Sequence, residues 1–369
     1  MSTEVEPVIP DYQERCTTNV VPELVRQVMG DGAAAWLPED VHHARQVVLL
    51  VLDGLGWNQL QEHVALAPTL TGFSGGAITT VAPTTTAAAL TSIVTGRPPA
   101  VHRIAGYRLC VDGDVLDVLK WQTSAGDARE AVPPHAFQRQ PAFAANEVPV
   151  VTRRAFMGTG FAEAHLQGAR MVGYAAPSSI PVEVWRLTKA GEPFVYAYYD
   201  GIDSVAHANG FGEHYDAELY TADRLVRDLL AGLPSGCALV VTSDHGQVQV
   251  GGRNVELDPD VVEMCSVFSG EGRFRWLRAA DGDVDALAER CRERFGELAW
   301  VRTRQQVSDE GWFGGPIDDE LAARLGDVVL AASAPISFRD PASAGSTMLC
   351  QHGSLTADEV LVPLLAKCV

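Results

Sequence analysis

Five short stretches of the chain hold side chains that could do chemistry together. Asp53 and Gly54 follow VVLLVL. Asp200, Asp203 and His207 follow FVYAYY. Asp244, His245 and Gly246 follow ALVVTS. His352 stands in QHGSLT, and Thr84, Thr85 and Thr86 precede an Ala-rich run. Carboxylates and imidazoles are the ligand types of zinc-like cations, and a hydroxyl held beside such ions becomes a nucleophile. Singly, each stretch is ordinary. Asp-Gly after a strand is a common turn, a Thr run before a helix is a common cap, and Asp203 and His207 are spaced like a surface helical pair. Their joint occurrence, each at the end of an expected strand or helix, points to one shared site. The remaining histidines, His42, His43, His63, His102, His135, His165 and His214, read as surface or internally satisfied residues.

The elements that must position these residues can be read from hydrophobic spacing. QVVLLVL (46–52) is a continuous apolar, β-branched run, the pattern of a strand buried on both faces of a parallel sheet. FVYAYYD (194–200) and CALVVTSDHG (237–246) repeat it. AAALTSIVTG (87–96) and VVPELVRQVMG (20–30) read as helices closed by Gly. HYDAELYTADRLVRDLLAGL (214–233) reads as an amphipathic helix with Leu219, Leu225 and Leu229 on its apolar side. Strands alternating with helices predict an α/β fold, a three-layer doubly wound and mostly parallel sheet. Ligands of such sheets bind outside the carboxyl ends of the strands, where three of the five stretches begin. Residues 1–44 read as an N-terminal extension packed on the core, and 45–369 as one catalytic domain. Insertions are expected at the C-terminal edge of the sheet, near 100–150 and 250–345; the latter holds a helix (DVDALAERCRERFG) and two short apolar runs (LAWVRT, DVVLAAS).

Composition narrows the partners. The chain has 369 residues, 47% hydrophobic and 20% charged, with a net charge of −19 and lysine at only three positions, 120, 189 and 367. That sign repels a nucleic-acid backbone but not a small phosphorylated substrate, because a bound cation reverses the field locally. No apolar run approaches the ~18 residues of a membrane helix, and the N-terminus shows no secretory signal. The seven cysteines are scattered and without CxxC spacing. They predict reduced thiols, a cytoplasmic location and no zinc–thiolate site. Oligomeric state has no signature in the sequence.

Taken together, VVLLVLDGLG, APTTTAAALTSIVTGRPPAVHRIAGY, YYDGIDSVAHANG, VVTSDHG and QHGSLTADEVLVPLL resemble the alkaline phosphatase superfamily. They are most similar to its nucleotide pyrophosphatase/phosphodiesterase branch and span residues 47–365. The resemblance implies an alkaline phosphatase-like fold and two divalent metal ions. One would sit on Asp53, Asp244, His245 and Thr86, the other on Asp203, His207 and His352, with Thr86 as nucleophile. Mixed His/Asp ligands favour zinc over manganese or iron. The implied activity is two-step hydrolysis of a phosphodiester. The alternatives within the superfamily are a phosphomonoesterase, a phosphonate hydrolase and a phosphoglycerate-mutase-like enzyme, and outside catalysis a metal-binding homologue. Many phosphodiesterases of this branch carry an Asn three residues after the nucleophile, donating to a phosphoryl oxygen; here the position is Ala89. A donor is then expected from the N–H of Thr86 or Ala87, from Arg103 or from Tyr107. Asp200 reads equally as the partner of a His ligand or as a turn residue. Trp57, Tyr107, Trp121, Trp312 and Phe313 are the aromatic residues considered for a substrate pocket.

Overall fold

The run QVVLLVL forms strand β1 (Gln46–Leu52), buried from its second residue to its last. Its alternate side chains enter two separate apolar clusters. Val47, Leu49 and Val51 face one layer, and Val48, Leu50 and Leu52 the other. A strand with two apolar faces must be covered on both, and helices do so here. The computed structural model describes residues 6–341 and 347–369.

Six further strands complete the central sheet: β2 (Ser74–Thr79), β3 (Pro149–Arg153), β4 (Arg170–Tyr174), β5 (Phe194–Tyr199), β6 (Cys237–Thr242) and β7 (Leu361–Cys368). Their order is β2-β7-β6-β1-β5-β3-β4. Strands β6, β1, β5, β3 and β4 are parallel, while β7 runs antiparallel to both β6 and β2. On one face lie α1 (Thr17–Met29) and α2 (Thr86–Thr95), contributing Val20, Val21, Leu24, Leu90 and Ile93. On the other lie α3 (Ser179–Lys189) and α5 (Glu213–Gly232), contributing Ile180, Val184, Leu219 and Leu229. The short helix α4 (Gly201–Asn209) follows β5 directly. The arrangement is the expected three-layer α/β fold with a mostly parallel sheet.

Strands β3 and β4 have no signature in the sequence. Both are five residues long, begin at Pro149 and Arg170, and are interrupted by polar or small residues such as Thr152 and Gly173. The sheet supplies the pairing that their composition does not advertise.

Two segments lie outside this sheet. Residues 108–127 form a four-stranded antiparallel meander. Cys265–Gly270, Phe274–Ala279, Ala299–Thr303 and Val328–Ala332 form a second antiparallel sheet. The helix Val284–Phe295 packs on it through Leu287, Ala288 and Cys291, giving this part its own small core. Among the described residues no helix is long and apolar enough to cross a membrane.

Candidate active site

The sheet register brings the chemistry together. Leu52 at the end of β1 pairs with Tyr199 at the end of β5, and Val51 with Thr242 at the end of β6. Three parallel strands therefore stop at one level, and the next residues are Asp53, Asp200 and Ser243-Asp244-His245. The Asp203 N–H donates to the Asp53 carbonyl at 3.1 Å, tying the first turn of α4 to the exit of β1. Gly54 makes that approach possible: its φ is +77°, and a Cβ there would lie 2.5 Å from Gln247 Nε2 and 2.9 Å from the Asp203 Cα. On α4, Asp203 and His207 stand one turn apart on the same face, with His207 Nε2 3.2 Å from Asp203 Oδ1.

All three imidazoles are oriented the same way. Nδ1 of His207 donates to the Cys350 carbonyl at 2.7 Å, Nδ1 of His352 to the Thr84 carbonyl at 2.7 Å, and Nδ1 of His245 to the Gly246 carbonyl at 3.1 Å. Each backbone acceptor fixes the tautomer and leaves the Nε2 lone pair facing inward. His245 Nε2 lies 3.4 Å from Asp244 Oδ2 and 3.5 Å from Asp53 Oδ1. His352 Nε2 lies 3.8 Å from Asp203 Oδ1. Two groups of donors result, each with its atoms within 4.8 Å of one another: Asp53, Asp244 and His245, and Asp203, His245 and His352. His245 thus stands between the two sets, and His207 falls outside the tighter second group while touching Asp203.

Three carboxylates meet here with little to neutralise them. Burial pushes the Asp53 carboxyl well above the ordinary range, and the charges of Asp244 and Asp203 push it further. Asp244 is raised as well, again chiefly by burial. At Asp203 burial acts upward too, but His207 and then His352 and His245 outweigh it and hold the carboxyl below the ordinary range. Burial, then His245, drives His352 well below the usual imidazole value. Asp53 Oδ1 and Asp244 Oδ2 are buried without any hydrogen-bond partner among the described residues. Unpaired buried carboxylate oxygens facing inward lone pairs of imidazole are what a divalent cation satisfies, so the residues fit the implied metal ions.

The three threonines divide the labour. The Thr84 hydroxyl donates to the Ser354 carbonyl at 2.8 Å and accepts the Gly353 N–H at 2.9 Å, anchoring the loop that carries His352. Thr85 is the N-cap of α2, accepting the Ala88 N–H. Thr86 opens the helix, with its Oγ1 3.2 Å from His245 Nε2. The helix leaves the N–H groups of Thr86 and Ala87 without intrahelical acceptors and turns its positive end toward the site. A buried ion pair completes the frame. Arg273 Nε and Nη2 reach the two Glu359 oxygens at 2.7 and 2.8 Å, and Glu359 accepts the Ser354 N–H at 2.9 Å.

Two cavities open beside Thr86, and Thr86 and Asp203 line both. The larger, about 530 Å³, is bordered by Tyr107 and Arg108 and by Glu271, Arg275 and Phe338. The smaller, about 230 Å³, is bordered mainly by apolar side chains, among them Leu90, Leu119, Phe156, Phe161 and Tyr198.

A profile of the type I phosphodiesterase / nucleotide pyrophosphatase family matches residues 47–355. The chain belongs to this family. The family hydrolyses phosphoric esters and depends on metal ions. Among solved structures, human ectonucleotide pyrophosphatase / phosphodiesterase 5 is 17% identical, with 87% of each chain covered and a TM-score of 0.64. The murine form of that protein, also solved as an inactive variant with AMP, is 16% identical, with 86% of this chain and 87% of that one covered and a TM-score of 0.63. Phosphonoacetate hydrolase from Sinorhizobium meliloti 1021, in complex with phosphonoacetate, is 20% identical, with 87% and 89% covered and a TM-score of 0.61. At these identities the likeness is one of fold. A search of curated proteins finds no match.

The one departure from the family pattern, Ala89, and the other residues considered for the site find their places in the fold. Ala89 is fully buried in a small apolar cluster with Cys16, Val81 and Ala88, and it lines neither cavity. Of the other expected donors, Arg103 is committed elsewhere: its Nε and Nη2 bind Asp318 at 3.1 and 2.6 Å. Tyr107 does line the larger cavity. Among the described residues Asp200 makes no bond to a site histidine; Arg153 holds it at 2.9 Å. Trp121, Trp312 and Phe313 are core residues, at most 1% exposed. Trp57 is half-buried against the core layer of α5. Two residues of the site were not singled out from the sequence: Gln247, whose Nε2 donates to Asp203 Oδ1 at 2.8 Å, and Tyr198, whose hydroxyl donates to Asp53 Oδ2. A signal for Tyr198 exists: alternate residues of FVYAYYD point to one face of the sheet, and Tyr196 and Tyr198 both line the smaller cavity.

Proposed function

We propose that the protein is a phosphodiesterase whose nucleophile is the Thr86 hydroxyl. In this proposal Asp53, Asp244 and His245 hold one divalent cation together with Thr86, and Asp203, His207 and His352 hold a second. His245, within reach of both donor groups, sits between the ions. Zinc is the favoured metal for this mixture of carboxylate and imidazole. When bound, the ions would lower the pKa of the Thr86 hydroxyl and offset the charge of the phosphoryl oxygens.

The chain's own residues do the rest. The start of α2 sets the Thr86 oxygen beside the donor groups, 3.2 Å from His245 Nε2. That oxygen attacks phosphorus, the bond to the leaving alcohol breaks, and a phospho-threonine ester remains. Water then cleaves it and frees Thr86. The N–H groups of Thr86 and Ala87 are placed to donate to a phosphoryl oxygen as charge develops. The Nδ1 bonds to backbone carbonyls hold the imidazoles in place through both steps.

The observation that carries the proposal is the position of Thr86 at the junction of two cavities. A diester has two arms and a monoester one, and the space lies on both sides of the nucleophile. The substrate is taken to be a small phosphorylated molecule, with no nucleic-acid polymer or membrane as partner. The free state of all seven cysteines supports a reducing compartment, the cytoplasm.

The test compares zinc-loaded protein on bis(p-nitrophenyl) phosphate, p-nitrophenyl phosphate and phosphonoacetate, with chelated protein and Thr86→Ala as controls. A preference for the diester that requires both metal and Thr86 is expected. A preference for the monoester or for phosphonoacetate refutes it in favour of the corresponding activity. Undiminished turnover by Thr86→Ala refutes the nucleophile.

A further inference from the structure

Gln247 is fully buried beside the two donor groups, and stability alone does not account for its type. Its Nε2 donates to Asp203 Oδ1 at 2.8 Å, and its backbone carbonyl accepts Gln59 Nε2 at 2.7 Å. Its Oε1 is buried with no hydrogen-bond partner among the described residues. A buried acceptor left in that state is costly, and a methionine of the same length would avoid the cost. The backbone is nevertheless shaped around the amide. A Cβ at Gly54 would lie 2.5 Å from Nε2, so the turn that follows β1 is glycine where the amide crosses it.

The oxygen that the amide holds is the one turned toward the second donor group. Asp203 Oδ1 lies 3.2 Å from His207 Nε2 and 3.8 Å from His352 Nε2. Asp203 also needs holding more than the other two carboxylates do. The side chains of Asp53 and Asp244 are 3% and 0% exposed, enclosed on every side, whereas Asp203 is 16% exposed and stands on the first turn of the short helix α4. Among the described residues its carboxylate accepts a hydrogen bond from one side chain outside the donor groups, and that side chain is Gln247. We infer that Gln247 is a positioning residue for the second cation: its amide fixes the rotamer of Asp203 and aims Oδ1 at the space in front of His207 and His352. A neutral donor suits this place. A lysine or arginine would repel the cation, and a further carboxylate would repel Asp203. Gln247 follows Asp244 and His245 in the same loop, so the segment that serves one cation also orients a ligand of the other. The role rests on the two-cation proposal above.

Stepwise zinc affinities test it, measured by competition with a chromophoric chelator for wild type, Gln247→Met, Gln247→Asn, Asp203→Asn and the double variant Asp203→Asn with Gln247→Met. The metal-free melting temperature of each is measured alongside. The wild type is expected to bind two ions. Gln247→Met, which keeps the length and loses the donor, should weaken one of them by about 10- to 100-fold, the usual weight of a group that orients a ligand, and the other by less than about threefold. Gln247→Asn, whose amide is one methylene too short to reach Asp203, should show the same selective loss. Without metal, Gln247→Met should melt within about 2 °C of wild type, because the lost bond is offset by removal of the unpartnered Oε1. On the Asp203→Asn background, adding Gln247→Met should cost less than about threefold, since the carboxylate through which it acts is gone. Equal weakening of both ions together with a lower metal-free melt would mean that Gln247 only holds its loop, and overturns the inference. So does unchanged affinity in both Gln247 variants, or a loss on the Asp203→Asn background as large as on wild type. Should Gln247→Met not fold, Gln247→Asn decides; failure of both to fold makes the residue structural and overturns the inference too. Wild type that binds fewer than two ions refutes the two-cation proposal and the inference with it, whereas two ions bound by wild type and variants alike refute the inference alone.

Discussion

The floor of the site and the walls of its cavities are built in different ways. The floor is a product of the parallel sheet. Asp53, Asp203, Asp244 and His245 follow the ends of three strands whose register stops them at one level. Their positions are fixed by a core of fully buried Val and Leu, and they face one another whatever the substrate. The walls come from the segments outside the sheet: Tyr107 and Arg108 on one side, Glu271, Arg275 and Phe338 on the other, and Phe156 and Phe161 around the smaller cavity. The difference teaches where to look for each property. Changes in the floor should act on all substrates alike, and changes in the walls should act through the arms a substrate carries.

The largest expected effect lies in the floor. Thr86→Ala should lower kcat on the order of 10³-fold, by a similar factor for every ester that the protein cleaves, because a lost nucleophile does not depend on the arm. Steady-state kinetics on two esters with different arms checks this. A loss confined to one of them would place Thr86 in the wall and not in the floor.

Metal removal comes next. Cations that bind only the folded state stabilise it by mass action, ~2.7 kcal/mol at a concentration a hundred times Kd. For a chain of this size that corresponds to a fall in melting temperature of roughly 3–4 °C for each ion removed on chelation. Differential scanning calorimetry with and without chelator, followed by zinc add-back, measures it. An unchanged melt contradicts a cation site formed by Asp53 and Asp244.

In the wall, Phe156 borders the smaller cavity beside Tyr198, with ring centroids 6.1 Å apart. Phe156→Ala removes apolar surface from that arm site and should raise KM for an aryl diester by about tenfold, with kcat changed much less. A fall in kcat without a change in KM would show that the ring positions the floor.

A smaller effect follows from Glu271. Its carboxyl is raised from the ordinary value to about 8, by burial first, against the opposing influence of the Tyr107 N–H, Arg275 and Arg108. A group raised in the folded state binds a proton there that the unfolded chain has released. Its contribution is full below the ordinary glutamate value of about 4.3 and is lost as pH rises through about 8. Denaturant titrations of the chelated protein between pH 5 and 9 should therefore show stability falling with pH more steeply in the wild type than in Glu271→Gln. Parallel slopes would mean that Glu271 is ionised in the folded state.

The smallest effect is expected at Arg103. Its bonds to Asp318 and its approach to Glu320 are partly exposed ion pairs, of a kind worth at most about 1 kcal/mol. Arg103→Ala should change kcat/KM by less than about twofold, and a large loss would return Arg103 to the list of phosphoryl donors.

The same contrast explains what the sequence makes legible. A strand buried on both faces writes itself as a continuous apolar run, so β1, β5 and β6 could be read directly, and with them the residues that leave their ends. Helix stops were equally plain: Gly30 and Gly96 follow α1 and α2 with φ of 88° and 65°. The walls leave no such trace. Glu271 and Arg275 belong to one antiparallel hairpin and Gln351 lies far along the chain, and only folding brings them to the lining of one cavity. Trp312 and Phe313 show the reverse. They are large aromatic residues in a segment outside the central sheet, the composition of a binding pocket, yet their place is the core beneath Phe274 and Trp276. Ala89 is a third case. Its departure from the family pattern suggested a missing donor, but its side chain packs against Cys16 and Val81, away from both cavities.

The central claim is that the Thr86 oxygen attacks phosphorus, and trapping the covalent ester tests it most directly. Zinc-loaded protein turning over bis(p-nitrophenyl) phosphate would be quenched in acid, digested and analysed by peptide mass spectrometry. The expected result is a peptide containing Thr86 that carries a phosphoryl or p-nitrophenylphosphoryl group, absent in Thr86→Ala and absent after chelation. An adduct on another residue, or active turnover with no adduct anywhere on the chain, would contradict it.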